Sequence, residues 1–185
     1  YEKPLVNYLT KYIKTEMNLK LDTIFEKSNH CKTYSDELSK ILNSFYGSKD
    51  DLINDKFETN KQICSFLAGV YYRYGDKLDT CIYKIQLANS PKHQNCYEFL
   101  KRIGCKKIFY KYLRNIPAQF ILYFEPTDEL KNYLDFIESD RMTLKESFNK
   151  QIEEMMKGYQ TKQELEKSTQ LSRKLEVEKI INAFK

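Results

Sequence analysis

Five cysteines (Cys31, Cys64, Cys81, Cys96 and Cys105) and two histidines (His30 and His93) are the residues best suited to hold a metal or to act as nucleophile and base. His93, Cys96 and Cys105 follow one another with H-x2-C-x8-C spacing. Such a trio closes a zinc site only with a fourth ligand, for instance His30 or Cys31, and structural zinc loops use tighter paired spacing. Cys96 shares an apolar face with Phe99 and Leu100, so the trio reads as core thiols and a surface histidine. His30 and Cys31 are adjacent, and adjacent side chains diverge on a helix or a strand. A thiol–imidazole pair would have to be assembled by folding. The chain lacks G-x-S-x-G, P-loop, G-x-G-x-x-G and H-E-x-x-H motifs. Carboxylate pairs such as Glu153–Glu154 and Asp76–Asp79 sit in polar contexts. The expectation is no metal, no cofactor and no enzymatic activity, with a helical enzyme of unfamiliar site as the remaining alternative.

The unusual stretch is Phe99 to Phe124. It contains six basic residues, Lys101, Arg102, Lys106, Lys107, Lys111 and Arg114, and no acid, although charges alternate elsewhere. On a helix, Lys107, Lys111 and Arg114 would share one face, with Ile108, Phe109, Tyr112 and Leu113 anchoring the other. That stripe suits an acidic protein partner. It also suits single-stranded RNA, with phosphates on the lysines and an unpaired base stacked on Tyr110. Against both stands a solvated face paired with the acidic segment 125–138. A second candidate surface is the C-terminal seam of Met155, Met156 and Phe184, which can meet a partner or a second copy in a side-by-side homodimer.

The elements that must carry these residues read as helices. Pro4 opens one, with Leu5, Leu9, Tyr12, Ile13 and Met17 at helical spacing that runs on toward Phe25. Ser35 caps a second and Gly47 stops it. Thr59 and Gln62 form a capping box ahead of Ile63, Phe66, Leu67, Val70, Tyr71 and Tyr74, and Gly75 ends that helix. Leu78, Ile82 and Ile85 suggest another helix. Ser90-Pro91 opens one carrying Cys96, Phe99 and Leu100, and Ile108 to Ile116 continues in the same period. Ala118 to Phe124 is a short apolar helix or an extended piece. Thr127, Thr143 and Thr161 each begin a further helix, the last two through capping boxes with Glu146 and Glu164. The expected fold is therefore all-α, an irregular bundle of eight or nine helices with a C-terminal helical hairpin or extension. Residues 1–138 form the body and residues 139–185 the extension, packed on the body or on a partner.

Composition agrees with a folded chain. Of 185 residues, 41% are hydrophobic and 31% charged, with 15 Tyr, 11 Phe and only 5 Gly and 4 Pro. The net charge of +5 permits an anionic partner without requiring one. No apolar run approaches a membrane span. The odd cysteine count without C-x-x-C suggests a reducing, cytoplasmic setting. The chain opens on Tyr1 rather than Met, so a fragment of a longer protein is expected, with any targeting signal outside it. Taken together, the sequence points to a non-enzymatic helical interaction or scaffolding module that binds an acidic protein or itself. The alternative is an RNA-binding protein using the basic helical segment 101–114.

Overall fold

The computed structural model describes residues 3–25, 31–49, 51–155 and 162–184. It overturns the all-helical expectation. Among the described residues there are six α-helices and six strands in two sheets, and 58% of those residues are helical. The protein is mixed α/β.

The chain divides into two compact units. The first comprises residues 1–53 and 142–157. It holds α1 (Lys3–Glu16), a hairpin of β1 (Asp22–Phe25) and β2 (Cys31–Tyr34), and α2 (Asp36–Asn43). Val6, Ile13 and Leu21 are its buried apolar residues. The expected continuation of the first helix to Phe25 fails, because α1 stops at Glu16 and Asn18 takes a left-handed φ of 53°. Ser35 does cap α2, accepting from the Leu38 N–H at 3.3 Å.

The second unit comprises residues 54–141 and 158–185 and carries the candidate site. It contains α3 (Asn60–Tyr74), β3 (Gly75–Lys77), β4 (Tyr83–Ala88), α4 (Lys92–Arg102), β5 (Ile108–Leu113), β6 (Gln119–Phe124), the first half of α5 (Asp128–Met155) and α6 (Lys162–Phe184). Two helical expectations fail here, and one open alternative is decided. The segments around Ile85 and Ile108–Ile116 are β4 and β5, and Ala118–Phe124 takes the extended alternative as β6; all three join one antiparallel sheet, ordered β3-β4-β6-β5. The cause is residue type. β4, β5 and β6 are rich in Tyr, Phe and Ile, which fit a pleated, half-buried surface better than a helix. In β4, Tyr83, Ile85 and Leu87 are buried while the residues between them are not, a period of two. The expected helix start at Thr143 also fails, since Thr143 lies inside α5.

One sheet face is the core. Its rows are Lys77–Tyr83–Phe124–Ile108, Gly75–Ile85–Leu122–Tyr110 and Leu87–Phe120–Tyr112. α3 and α4 pack over it. Ile63, Leu67 and Tyr71 from α3, Cys96, Phe99 and Leu100 from α4, and Leu130 and Leu134 from α5 are buried. Phe57, Phe66 and Phe99 lock the helices together at centroid distances of 5.3, 4.7 and 5.3 Å. The Thr59–Gln62 capping box is formed as expected, and Gly75 is the C-cap of α3.

The other face is crossed by α6 along the row Asp76–Lys84–Tyr123–Phe109. Arg173 meets Asp76 at 3.4 Å, Glu176 meets Lys84 at 3.3 Å and the Tyr123 hydroxyl at 2.7 Å, and Phe184 lies 4.7 Å from the Phe109 ring. Ile82, Ile121, Tyr123 and Phe184 form a small second core beneath it.

Candidate nucleic-acid interface

β5 is an edge strand of the sheet, and α4 runs beside it. Helical spacing puts His93, Tyr97 and Lys101 on one side of α4, while Cys96, Phe99 and Leu100 turn into the core. Strand alternation puts Tyr110 and Tyr112 on the helix-covered face, where Phe120 of β6 is the direct partner of Tyr112. The result is an aromatic cluster. His93 stacks flat on Phe120 at 3.7 Å, Tyr112 stacks on Phe120 at 5.1 Å, and Tyr110 lies 6.3 Å from Phe120 and 5.8 Å from His93. Tyr97 meets Tyr110 edge-on at 6.4 Å.

The inner members of this cluster are fixed and the outer ones face water. His93 is 8% exposed, and its Nδ1–H donates to the Ser90 carbonyl at 2.7 Å. Tyr97, Tyr110 and Tyr112 remain 36%, 45% and 49% exposed. Burial, and then the neighbouring Tyr112, push the Tyr110 phenol above its usual range, so it stays a neutral ring and donor. A pocket of about 600 Å³ opens at this point, lined by His93, Gln94, Tyr97, Glu98, Ile108 and Tyr110.

Cations surround the rings. Lys101 Nζ lies 5.5 Å from the Tyr97 centroid. Arg102 ends α4 and reaches the Asn54 carbonyl at 3.4 Å. Lys106 is exposed in the turn into β5, where Gly104 takes a φ of 90°. Lys111 is exposed on β5 and Arg114 just beyond it. Among the described residues, Lys101, Lys106, Lys111 and Arg114 make no ion pair. Lys107 differs from them: it pairs with Glu125 at 3.2 Å and donates to the Phe184 carbonyl at 2.7 Å, holding the end of α6.

Of the basic residues singled out in the sequence, Lys101 and Arg102 thus lie in the last turn of α4, and the other four lie on or beside an edge strand rather than on a helix. Alternation separates Lys107 and Lys111 from Tyr110, and no helical stripe of Lys107, Lys111 and Arg114 exists. Phe184 is 5% exposed against its own sheet, Met155 ends α5, and Met156 falls outside the described residues. Sequence reasoning missed Tyr97, Tyr112 and Phe120, and placed His93 on the surface. The Tyr-x-Tyr alternation at 110–112 is the signal that could have found the strand. Cys64, Cys96 and Cys105 are buried free thiols, and burial raises Cys96 to about 12. Among the described residues, no group of three or more His, Cys, Asp or Glu side chains is placed to hold a metal. No helix among them is long and apolar enough to cross a membrane.

No family model and no curated protein matches the chain. A similar solved chain is the crystal structure of I-DmoI in complex with DNA and Mn, 16% identical over 71% of this chain and 69% of that one, with a TM-score of 0.44. A likeness that loose fixes neither a family nor an activity. The expected non-enzymatic scaffold, binding an acidic protein or itself, is nonetheless corrected: its helical bundle is a mixed α/β fold, its basic stripe is a strand, and Phe184 of its C-terminal seam is spent internally. The expectation of a non-enzyme rested on the absence of familiar catalytic motifs and is withdrawn as well.

Proposed function

We propose that this protein binds single-stranded nucleic acid along the β5 edge and the groove beside α4. The supporting observation is the exposed trio Tyr97, Tyr110 and Tyr112, held by the His93–Phe120 stack, with Lys101 beside Tyr97 and Lys106, Lys111 and Arg114 exposed on or next to the same edge strand. Exposed rings on a fixed base offer stacking surfaces to unpaired bases, and the cations track the backbone. A duplex keeps its bases stacked inside and cannot use the rings. The buried free thiols Cys64, Cys96 and Cys105 fit a reducing, cytoplasmic setting.

The test is fluorescence anisotropy with mixed-sequence single-stranded DNA and RNA and a matched duplex, at two salt concentrations. Single strands should bind more tightly than the duplex. Binding should weaken with salt at a log–log slope of about −0.7 per phosphate contact. Equal affinity for duplex and single strand, or no binding to any of them, refutes the proposal.

A further inference from the structure

Glu98 is out of place on a phosphate-binding surface. Among the described residues it is the single carboxylate lining the pocket between α4 and β5, with Lys101 nearby. A negative charge there repels a backbone phosphate. It is also held in position: its Oε2 accepts from the Asn54 side-chain amide, and Asn54 Oδ1 in turn accepts from Asn95 Nδ2 at 2.8 Å. Among the described residues nothing donates a hydrogen bond to Oε1, and Oε2 keeps a second lone pair. Tyr97 and Tyr110 wall the same pocket.

Resting on the single-strand reading above, we infer that this pocket selects guanine, with Glu98 reading the edge of a base stacked on an exposed face of Tyr97 or Tyr110. Unpaired bases are recognised by stacking together with hydrogen bonds to their exposed edges. A carboxylate offers only acceptors. Guanine alone presents two adjacent N–H donors on its Watson–Crick edge, at N1 and N2, which match the two oxygens of one carboxylate. Adenine and cytosine each offer a single amino group beside a ring acceptor, which opposes the second oxygen. Uracil offers one N–H between two carbonyls. Gln94 lines the pocket and is exposed, with an amide able to donate to the guanine O6.

The experiment compares seven-nucleotide oligouridines whose central base is guanine, adenine, cytosine, uracil or inosine, by anisotropy with the full chain. The guanine oligomer should bind about tenfold more tightly than the others, the discrimination of a good bidentate pair. Inosine, which lacks the N2 amino group, should lose most of that gain. E98Q should abolish the guanine preference while leaving affinity for plain oligouridine equal or higher, since a repelling charge is gone. Uniform binding of all five oligomers by the wild type overturns the guanine inference and leaves the single-strand reading standing. A guanine preference that survives E98Q, with inosine equal to guanine, also overturns it. Binding of none overturns both.

Discussion

Arg141→Met should destabilise the second unit by about 3 kcal/mol, the lower part of the range for breaking a buried ion pair. Arg141 is 3% exposed. Its Nε and Nη2 donate to the two oxygens of Glu138 at 2.9 and 2.6 Å, and its Nη1 donates to the Gly75 carbonyl at 2.8 Å. The guanidinium also lies 5.1 Å from the Tyr71 ring centre and 3.7 Å from Asp76. Methionine keeps the apolar stem against Tyr71 but removes every donor. Glu138 keeps the Tyr71 hydroxyl at 2.9 Å, and its side chain is 23% exposed. Water therefore relieves part of the stranded charge, which is why the upper end of the range is not expected. Urea unfolding followed by circular dichroism reads the effect. With a slope of about 2 kcal/mol/M the midpoint should fall by about 1.5 M. In an E138Q background the same substitution should be milder, with a coupling of at least ~1.5 kcal/mol. A single-mutant loss below ~1 kcal/mol, or strict additivity, refutes the assignment of this cluster as the clamp between α5 and β3.

Further outcomes follow from other parts of the second unit. Tyr97→Ala with Tyr110→Ala should weaken single-strand binding by about 1–3 kcal/mol per lost stack and leave the circular dichroism spectrum unchanged; intact binding by the double mutant removes the aromatic trio as the site. Phe184→Ala empties a 5% exposed position against Phe109 and should speed amide exchange across α6 without affecting α3, whereas unchanged exchange in α6 contradicts its docking on the sheet. Hydrogen bonds from Lys77 and then Tyr83 hold Asp135 below the usual carboxylate range despite some burial. Its stabilisation is therefore complete above the unfolded value of about 3.9 and lost as pH falls through the lower folded value. Asp135→Asn should thus cost a small amount at neutral pH and nothing in strong acid, and a constant difference across pH counts against the sign. Among the described cysteines, exposed Cys81 should react quickly with a thiol reagent, while buried Cys64, raised to about 11, and Cys96, raised to about 12, should react only on unfolding.

Local signals in this chain were legible one residue at a time. The Ser35 cap, the Thr59–Gln62 box and the Gly75 stop needed only a hydroxyl, an amide or a small residue near a helix end, and those three helix ends lie where the residues imply; α4 starts one residue later than Ser90-Pro91 implies, with Pro91 at the cap position. Thr143 and Glu146 carry the same spelling in the middle of α5, because a capping pair acts only where the chain has another reason to begin a helix. The sheet was not legible in the same way. Leu78, Ile82 and Ile85 fit helical spacing although only Ile85 lies in a strand, and the run 119–124 is apolar on both faces, so periodicity could not separate a buried strand from a buried helix. Strand pairing resolved it. The register of β4 with β6 aligns residues more than thirty positions apart in sequence and supplies hydrogen-bond partners that no local window contains. The site shows the same division. The sequence alone located the acid-free basic segment and Tyr110, since charge and residue type are properties of the chain. Tertiary structure alone brought Tyr97 from α4 and Phe120 from β6 to Tyr110, stacked His93 beneath them and took Lys107 away to hold α6, because those contacts exist only once the strands have paired and the helices have covered them.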